Sequence, residues 1–174
     1  MQRQIEQALQ VLIGLPLWDG WRAVDLQSFH FGDRHTVVDR KGRTCEVGTY
    51  ALHLQCAWRI VGPSGIVVAS RDKFYPTSDR PLEDAYDDDF EWNKPGANRC
   101  DERMEAFFEQ HSTAPLRVEA VRADAVGSVW IRLGSDHMLE VFPDDSLEKE
   151  MWRFFQPNTK DDHFVVLGNG IEED

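Results

Sequence analysis

The sequence predicts an α+β fold: a largely antiparallel, strongly curled β-sheet built from hairpins, with about three helices packed against it. Three observations predict it. From Thr49 to Ile60 the chain alternates without a break. Tyr50, Leu52, Leu54, Cys56, Trp58 and Ile60 fall on one side, and Thr49, Ala51, His53, Gln55, Ala57 and Arg59 on the other. A period of two sends successive side chains to opposite faces, so this segment reads as a long strand with one face buried. Two pairs of apolar runs are joined by short turn-forming segments, Val61-Gly62-Pro63-Ser64-Gly65 and Gly134-Ser135-Asp136-His137, as antiparallel neighbours are. No strand–helix–strand rhythm of the kind that builds parallel sheets runs through the chain.

Residues 2–13 carry Ile5, Leu9, Leu12 and Ile13 at helical spacing, and Gly14 and Pro16 stop the helix. Ala23 to Phe31 is strand-like with imperfect alternation. Asp33 to Gly48 is polar and basic and reads as a turn-rich excursion or a ragged hairpin. After the strand at 49–60, Ile66 to Ser70 returns antiparallel. Residues 76–98 change character. Pro76, Pro81 and Pro95 break regular structure, and Asp79, Glu83, Asp84, Asp87, Asp88, Asp89 and Glu91 crowd against Arg80 alone. This is an acidic surface loop, threaded with Phe74, Tyr75, Tyr86, Phe90 and Trp92, which should pack it down. Asn98 is placed to cap a helix over 99–111 that buries Met104, Phe107 and Phe108. Strands follow at 118–122, 129–133 and 138–142. Asp145 with Glu148 three residues on resembles a capping box and predicts a short helix through Met151, Trp152 and Phe155. Phe164 to Leu167 is a final strand.

A chain of 174 residues predicts one domain, 1–174, with a core large enough to need no staples. Nineteen Lys and Arg face thirty-one Asp and Glu, a formal net charge of −12. Such a surface repels nucleic-acid backbones and anionic lipid, and it speeds encounter with a cationic partner. Cys45, Cys56 and Cys100 are an odd, unpaired set suited to a reducing cytoplasm. The amino terminus lacks the basic region, apolar core and cleavage site of a signal peptide. No apolar run approaches the ~20 residues that span a bilayer.

No catalytic, metal or cofactor motif emerges, so no enzyme, metal or cofactor is expected. The acidic loop lacks the spacing and central Gly of a calcium loop. His30, His35, His53, His111, His137 and His163 never fall in metal-ligand spacing. Ser64 sits in a turn, and no Gly-rich loop leads from a strand into a helix. Two binding surfaces remain. In the first, Asp84, Asp87, Asp88, Asp89 and Glu91 steer and contact a basic protein partner, with Tyr86 and Trp92 as anchors. In the second, a curled sheet face gathers His53, Gln55 and Arg59 with His30 into a polar pocket for a small ligand. Trp130, on the polar side of its strand, is a further contact candidate, and a sheet face or edge offers a homodimer contact.

The segment ALHLQCAWRIVGPSGIVVASRD, the acidic Pro-interrupted loop and LEVFPDDSLEKEMWRFF together resemble an uncharacterised family of small bacterial cytoplasmic proteins, over most of the chain from Ala23 onward. The resemblance implies no activity and carries over no catalytic residue. By size, charge and strand pattern the chain is also similar to immunity proteins, which neutralise cationic toxin domains. That analogy implies a non-enzymatic, cytoplasmic binding protein.

Overall fold

The computed structural model describes residues 1–38, 42–157 and 159–172. Among these residues eleven strands pair antiparallel and divide into two sheets. The larger runs in the order β1 (Leu17–Ala23), β2 (Leu26–Val38), β3 (Thr44–Leu54), β9 (Glu150–Phe155), β10 (Phe164–Leu167) and β11 (Gly170–Ile171). The smaller runs β5 (Gly65–Ala69), β4 (Ala57–Gly62), β8 (His137–Phe142), β7 (Val129–Leu133) and β6 (Val118–Ala123). Two α-helices occur among the described residues, α1 (Gln2–Leu9) and α2 (Arg99–Gln110).

This corrects the expected fold class. The protein is mostly antiparallel sheet in two layers that are neither closed nor strongly curled, with two α-helices among the described residues rather than about three. The cause lies at Gln55–Cys56. There the alternating segment leaves the larger sheet and enters the smaller one. The Gln55 amide still donates to Met151 O on β9 at 2.8 Å, the last ladder bond before the corner. Alternation survives the corner, because Leu52, Leu54, Cys56, Trp58 and Ile60 are all buried. Strands that switch sheets at a bend are a standard way to join two layers.

The layers share one hydrophobic cluster. Phe29 of β2 meets Trp58 of β4 edge to face, ring centroids 5.2 Å apart. The Trp152 indole N–H on β9 donates to Gly127 O, in the turn between β6 and β7, at 2.9 Å. Each fully buried Phe, Leu or Ile here contributes about 1.5–3 kcal/mol. α1 continues as a tight turn over Gln10–Leu12, buries Ile5, Leu9 and Leu12, and packs on β6. α2 packs on β1, β5 and the turn at Ser70–Phe74, so helices cover three of the sheets' outermost strands. As expected, Asn98 caps α2, its side chain accepting the Asp101 amide at 3.0 Å.

Two local expectations are also corrected, at 23–31 and 145–155, and between them the open alternative at 33–48 is resolved. Ala23–Phe31 is not one strand: the chain turns at Val24–Asp25, with Val24 at φ 57°. The Arg22 guanidinium donates to Val24 O at 2.7 Å and holds that turn. Residues 33–48 resolve as the hairpin, with β2 running to Val38 and β3 starting at Thr44; part of the expected excursion, 39–41, lies outside the described residues. The expected helix through 145–155 is strand β9, paired with both β3 and β10. The hairpins β4–β5 and β7–β8 and the strands β6 and β10 stand where the sequence placed them.

Candidate functional site

The acidic segment 76–98 leaves and returns at one place. Pro76 and Asn98 form an isolated antiparallel bridge, and the Arg99 amide donates to Tyr75 O at 2.9 Å. The Ser78 amide donates to Glu102 Oε2 on α2 at 3.0 Å. At the returning end, Trp92 O accepts from Asn98 Nδ2 at 2.8 Å. The Trp92 ring lies on Phe74, centroids 5.4 Å apart, with Lys73 Nζ 5.8 Å from it. Trp92 therefore anchors the loop to the body, and Tyr86, 89 % exposed, stands free at its far part. Asp84 pairs with Arg80 at 3.0 Å. Glu83, Asp87, Asp88, Asp89 and Glu91 are exposed, and no basic side chain among the described residues pairs with them.

The 92–98 stretch is clamped to β1. Arg22 grips Asp101 with two parallel bonds, Nε to Oδ1 at 2.8 Å and Nη2 to Oδ2 at 2.7 Å. It also donates to Trp92 O at 3.4 Å. The Gly96 amide donates to the same Asp101 Oδ2 at 2.8 Å. Paired with Asp101, the Arg22 guanidinium is held charged above its usual range.

Between β1, α2 and this strap lies a cleft of about 550 Å³. Sequence reasoning missed it, because its walls come from segments far apart in the chain. Trp21 and Asp19 of β1 line it on one side, and Glu105, Phe108 and Glu109 of α2 on the other, with Gln27 of β2 also bordering it. Gly20 lets the walls approach: a Cβ there would come within 2.7 Å of Met104 Cε. Burial lifts the Asp19 carboxyl above the usual carboxylate range, opposed by the Gly20 backbone N–H and by Arg34.

The donors around this cleft are engaged. Arg22 is spent on Asp101 and on carbonyls, and the Trp21 indole N–H donates to His30 Nε2 at 2.9 Å. One acceptor bordering it is not. Gln27 is only 1 % exposed, and its Nε2 donates to Trp21 O and Ser28 O, each at 3.0 Å. Its Oε1 is buried without a partner. Turning the amide over would press Oε1 against two carbonyl oxygens, so the geometry fixes which end is orphaned.

Trp21 links the cleft to the outer face of the larger sheet. Cross-strand register puts Trp21, Ser28, His53 and Arg153 in one row of that face, and Asp19, His30, Ala51 and Phe155 in the next. Of the expected polar pocket, His30 and His53 do come together, both against the Trp21 ring. The Gly48 amide nitrogen lies 3.0 Å from His30 Nδ1, and Ser28 Oγ lies 3.0 Å from Nε2. Gly48 is required here, since a Cβ would meet Phe31 O at 2.6 Å. Burial pulls both imidazoles down to about 4, helped at His53 by the neighbouring His30. His53 packs edge-on to Phe155, which stacks on His163.

Gln55 and Arg59 are placed elsewhere. Gln55, at the corner, hydrogen-bonds the Glu150 side chain, which also holds Arg153. Arg59 is on the smaller sheet, ion-paired with Glu140 and 5.6 Å over the Phe142 ring. Trp130 stands edge-on to the same Phe142, 5.9 Å away. The second polar set is thus divided between two layers by the Gln55–Cys56 corner.

Among the described residues, no group of three or more His, Cys, Asp or Glu is placed to hold a metal ion, and no helix is long and apolar enough to cross a membrane. No protein-family model matches the chain, and neither a curated protein nor a solved structure matches it. The arrangement itself defines a two-layer antiparallel sheet protein with a tethered acidic loop beside a cleft between β1 and α2.

Proposed function

We propose that this chain is a non-enzymatic, cytoplasmic binding protein whose partner is a basic protein, in the manner of an immunity protein. One observation carries the reading: the exposed carboxylates of Glu83, Asp87, Asp88, Asp89 and Glu91 are not spent on internal ion pairs, and they ride on a loop fixed at both ends to α2. Charge that does no work inside the fold is free to act outside it. A concentrated anionic patch raises the encounter rate with a cationic surface, and the effect weakens as salt rises. Tyr86 supplies an exposed aromatic with a polar tip, the residue type favoured at contact centres.

Immobilised protein, exposed to a lysate of its host, tests the reading. Basic proteins should be retained, released by salt, and lost when Asp87, Asp88 and Asp89 are changed together to Asn. Retention of neutral or acidic proteins only, or retention indifferent to both salt and the triple substitution, overturns it.

A further inference from the structure

We propose that the outer face of the smaller sheet carries a binding site for a planar aromatic carboxylate, built by β6, β7 and β8. The site uses no residue of the acidic loop and does not depend on what that loop binds.

Alternation sets the face. On β7, Val129, Ile131 and Leu133 are buried in the shared core, so Trp130 and Arg132 point outward. The register carries this face to both neighbours. On β6, Ala120 opposes Arg132 and Arg122 opposes Trp130. On β8, Met138 opposes Arg132 and Glu140 opposes Trp130. Ala120 thus has long side chains beside it, facing it and diagonal to it, and its own side chain ends at a methyl. What remains is a cavity of about 510 Å³, lined by Ala120, Arg122, Ala123, Trp130, Arg132 and Met138.

The charge of this cavity runs against that of the chain. The protein carries a formal net charge of −12, yet the cavity is lined by two guanidiniums and no carboxylate. The carboxylates nearest in register are already paired: Glu140 with Arg59, and Glu119 with Arg132 at 3.2 Å. Arg122 is exposed and has no carboxylate partner among the described residues. The Arg132–Glu119 contact is half exposed on both sides, a surface pair that contributes little and exchanges readily. Arg122 and Arg132 against Glu119 leave one positive charge unmatched, which suits a monoanion. A guanidinium offers parallel N–H donors at the spacing of a carboxylate's two oxygens. The backbone of β7 pairs on both sides, so the floor has no cradle of free amides of the kind that favours a phosphate.

The aromatic wall supplies the rest of the specificity. Trp130 is half-buried and meets Phe142 with centroids 5.9 Å apart, rings nearly perpendicular. Arg34 lies 4.4 Å over Trp18 and Arg59 5.6 Å over Phe142, but no cation among the described residues is seated over the Trp130 indole. A flat ring can stack on this indole while its carboxylate meets Arg122, and the Met138 thioether adapts to the ring's edge. Apolar walls with a few placed polar groups are the usual make-up of a small-ligand site.

Calorimetric titration of the whole chain with four matched probes tests this. The probes are naphthoate, naphthamide, decalin carboxylate and naphthyl phosphate. Naphthoate should bind with sub-millimolar affinity. Naphthamide should bind roughly tenfold more weakly, having lost the charge-assisted fork. Decalin carboxylate should bind roughly fivefold more weakly, having no flat π-face. Naphthyl phosphate should bind no tighter than naphthoate. The Trp130 indole NMR signal should shift on addition of naphthoate. Arg122→Gln should weaken naphthoate about tenfold, and Ala120→Leu, which fills the cavity, should abolish binding. Arg122 is exposed, so its variant keeps the fold and reads the site even where Ala120→Leu does not fold. Changing Asp87, Asp88 and Asp89 together to Asn should leave naphthoate affinity unchanged. No binding of naphthoate, equal binding of the amide or the saturated acid, or tighter binding of the phosphate overturns the proposal. So does an affinity unmoved by Arg122→Gln or lost in the triple variant.

Discussion

The Trp21 indole N–H donates to His30 Nε2 at 2.9 Å, and so joins a wall of the cleft to a histidine that is 1 % exposed. The bond crosses from the outermost strand of the larger sheet to its neighbour. Trp21 is 42 % exposed, and its ring position is set by this contact with His30 and by the edge of His53. Trp21→Phe removes the donor and keeps most of the ring. The expected cost is about 1 kcal/mol, read as a lower urea midpoint at unchanged slope.

Acid should weaken the fold through its histidines. His30 and His53 are held down to about 4 by burial, and His111 is also lowered by burial and by His137. In the unfolded chain these rings take up protons near pH 6.5. The unfolded state therefore binds more protons than the native state between pH 6.5 and about 4, and stability is lost as pH falls through that window. For His30 the shift corresponds to on the order of 3 kcal/mol. His30→Asn should flatten the decline of the unfolding midpoint over that range. An unchanged slope would show that other groups set the acid response.

The Arg22–Asp101 pair should behave as a desolvated ion pair. Their side chains are 6 % and 17 % exposed, and the bonds between them are parallel and short. Removing one partner leaves a buried charge, at a cost of about 3–5 kcal/mol. Arg22→Met and Asp101→Asn should each approach that range in chemical denaturation. The double variant should cost clearly less than their sum, which is the signature of coupling. Additivity would mean that the two residues act independently.

Thiol chemistry should separate the cysteines. Burial pushes the Cys56 and Cys100 thiols up to about 12, while Cys45 is exposed. A thiolate is the reactive form. An aromatic disulfide reagent at neutral pH should therefore modify Cys45 quickly and Cys56 and Cys100 only after unfolding. Rapid reaction at Cys45→Ser protein would contradict the burial described here.

The short-range parts of this fold could be read from the sequence. β4–β5 and β7–β8 are joined by obvious turn residues, and Asn98 announces α2 through a cap only three residues long. What could not be read is long-range. A period of two tells which face a side chain takes and not which sheet the strand belongs to. The alternation therefore runs unbroken through the Gln55–Cys56 corner and looked like a single strand. β9 was obscured by a local imitation: Asp145 and Glu148 stand at capping-box spacing, yet Asp145 Oδ1 accepts the Leu147 amide at 2.8 Å in a turn. Pairing with β3 and β10 then decides the element. The β1–β2 turn was hidden because a valine takes the left-handed conformation that usually signals Gly or Asn.

The site divides in the same way. That His30 and His53 share an outer face follows from alternation on adjacent strands. The cleft does not follow from anything local, since its clamp joins residues separated by 79 positions. Gln27 looked like an ordinary polar residue near the start of a strand. Its orphaned oxygen exists only once two backbone carbonyls have claimed the other end of the amide.

The Pro76–Asn98 bridge has an evolutionary corollary. Because the intervening stretch departs and rejoins at a single doorway, its length and composition can change while both sheets keep their register. Related chains would then be able to exchange this module as a cassette, acquiring new targets on an unaltered chassis. The residues on either side of the doorway would vary far less than those within it.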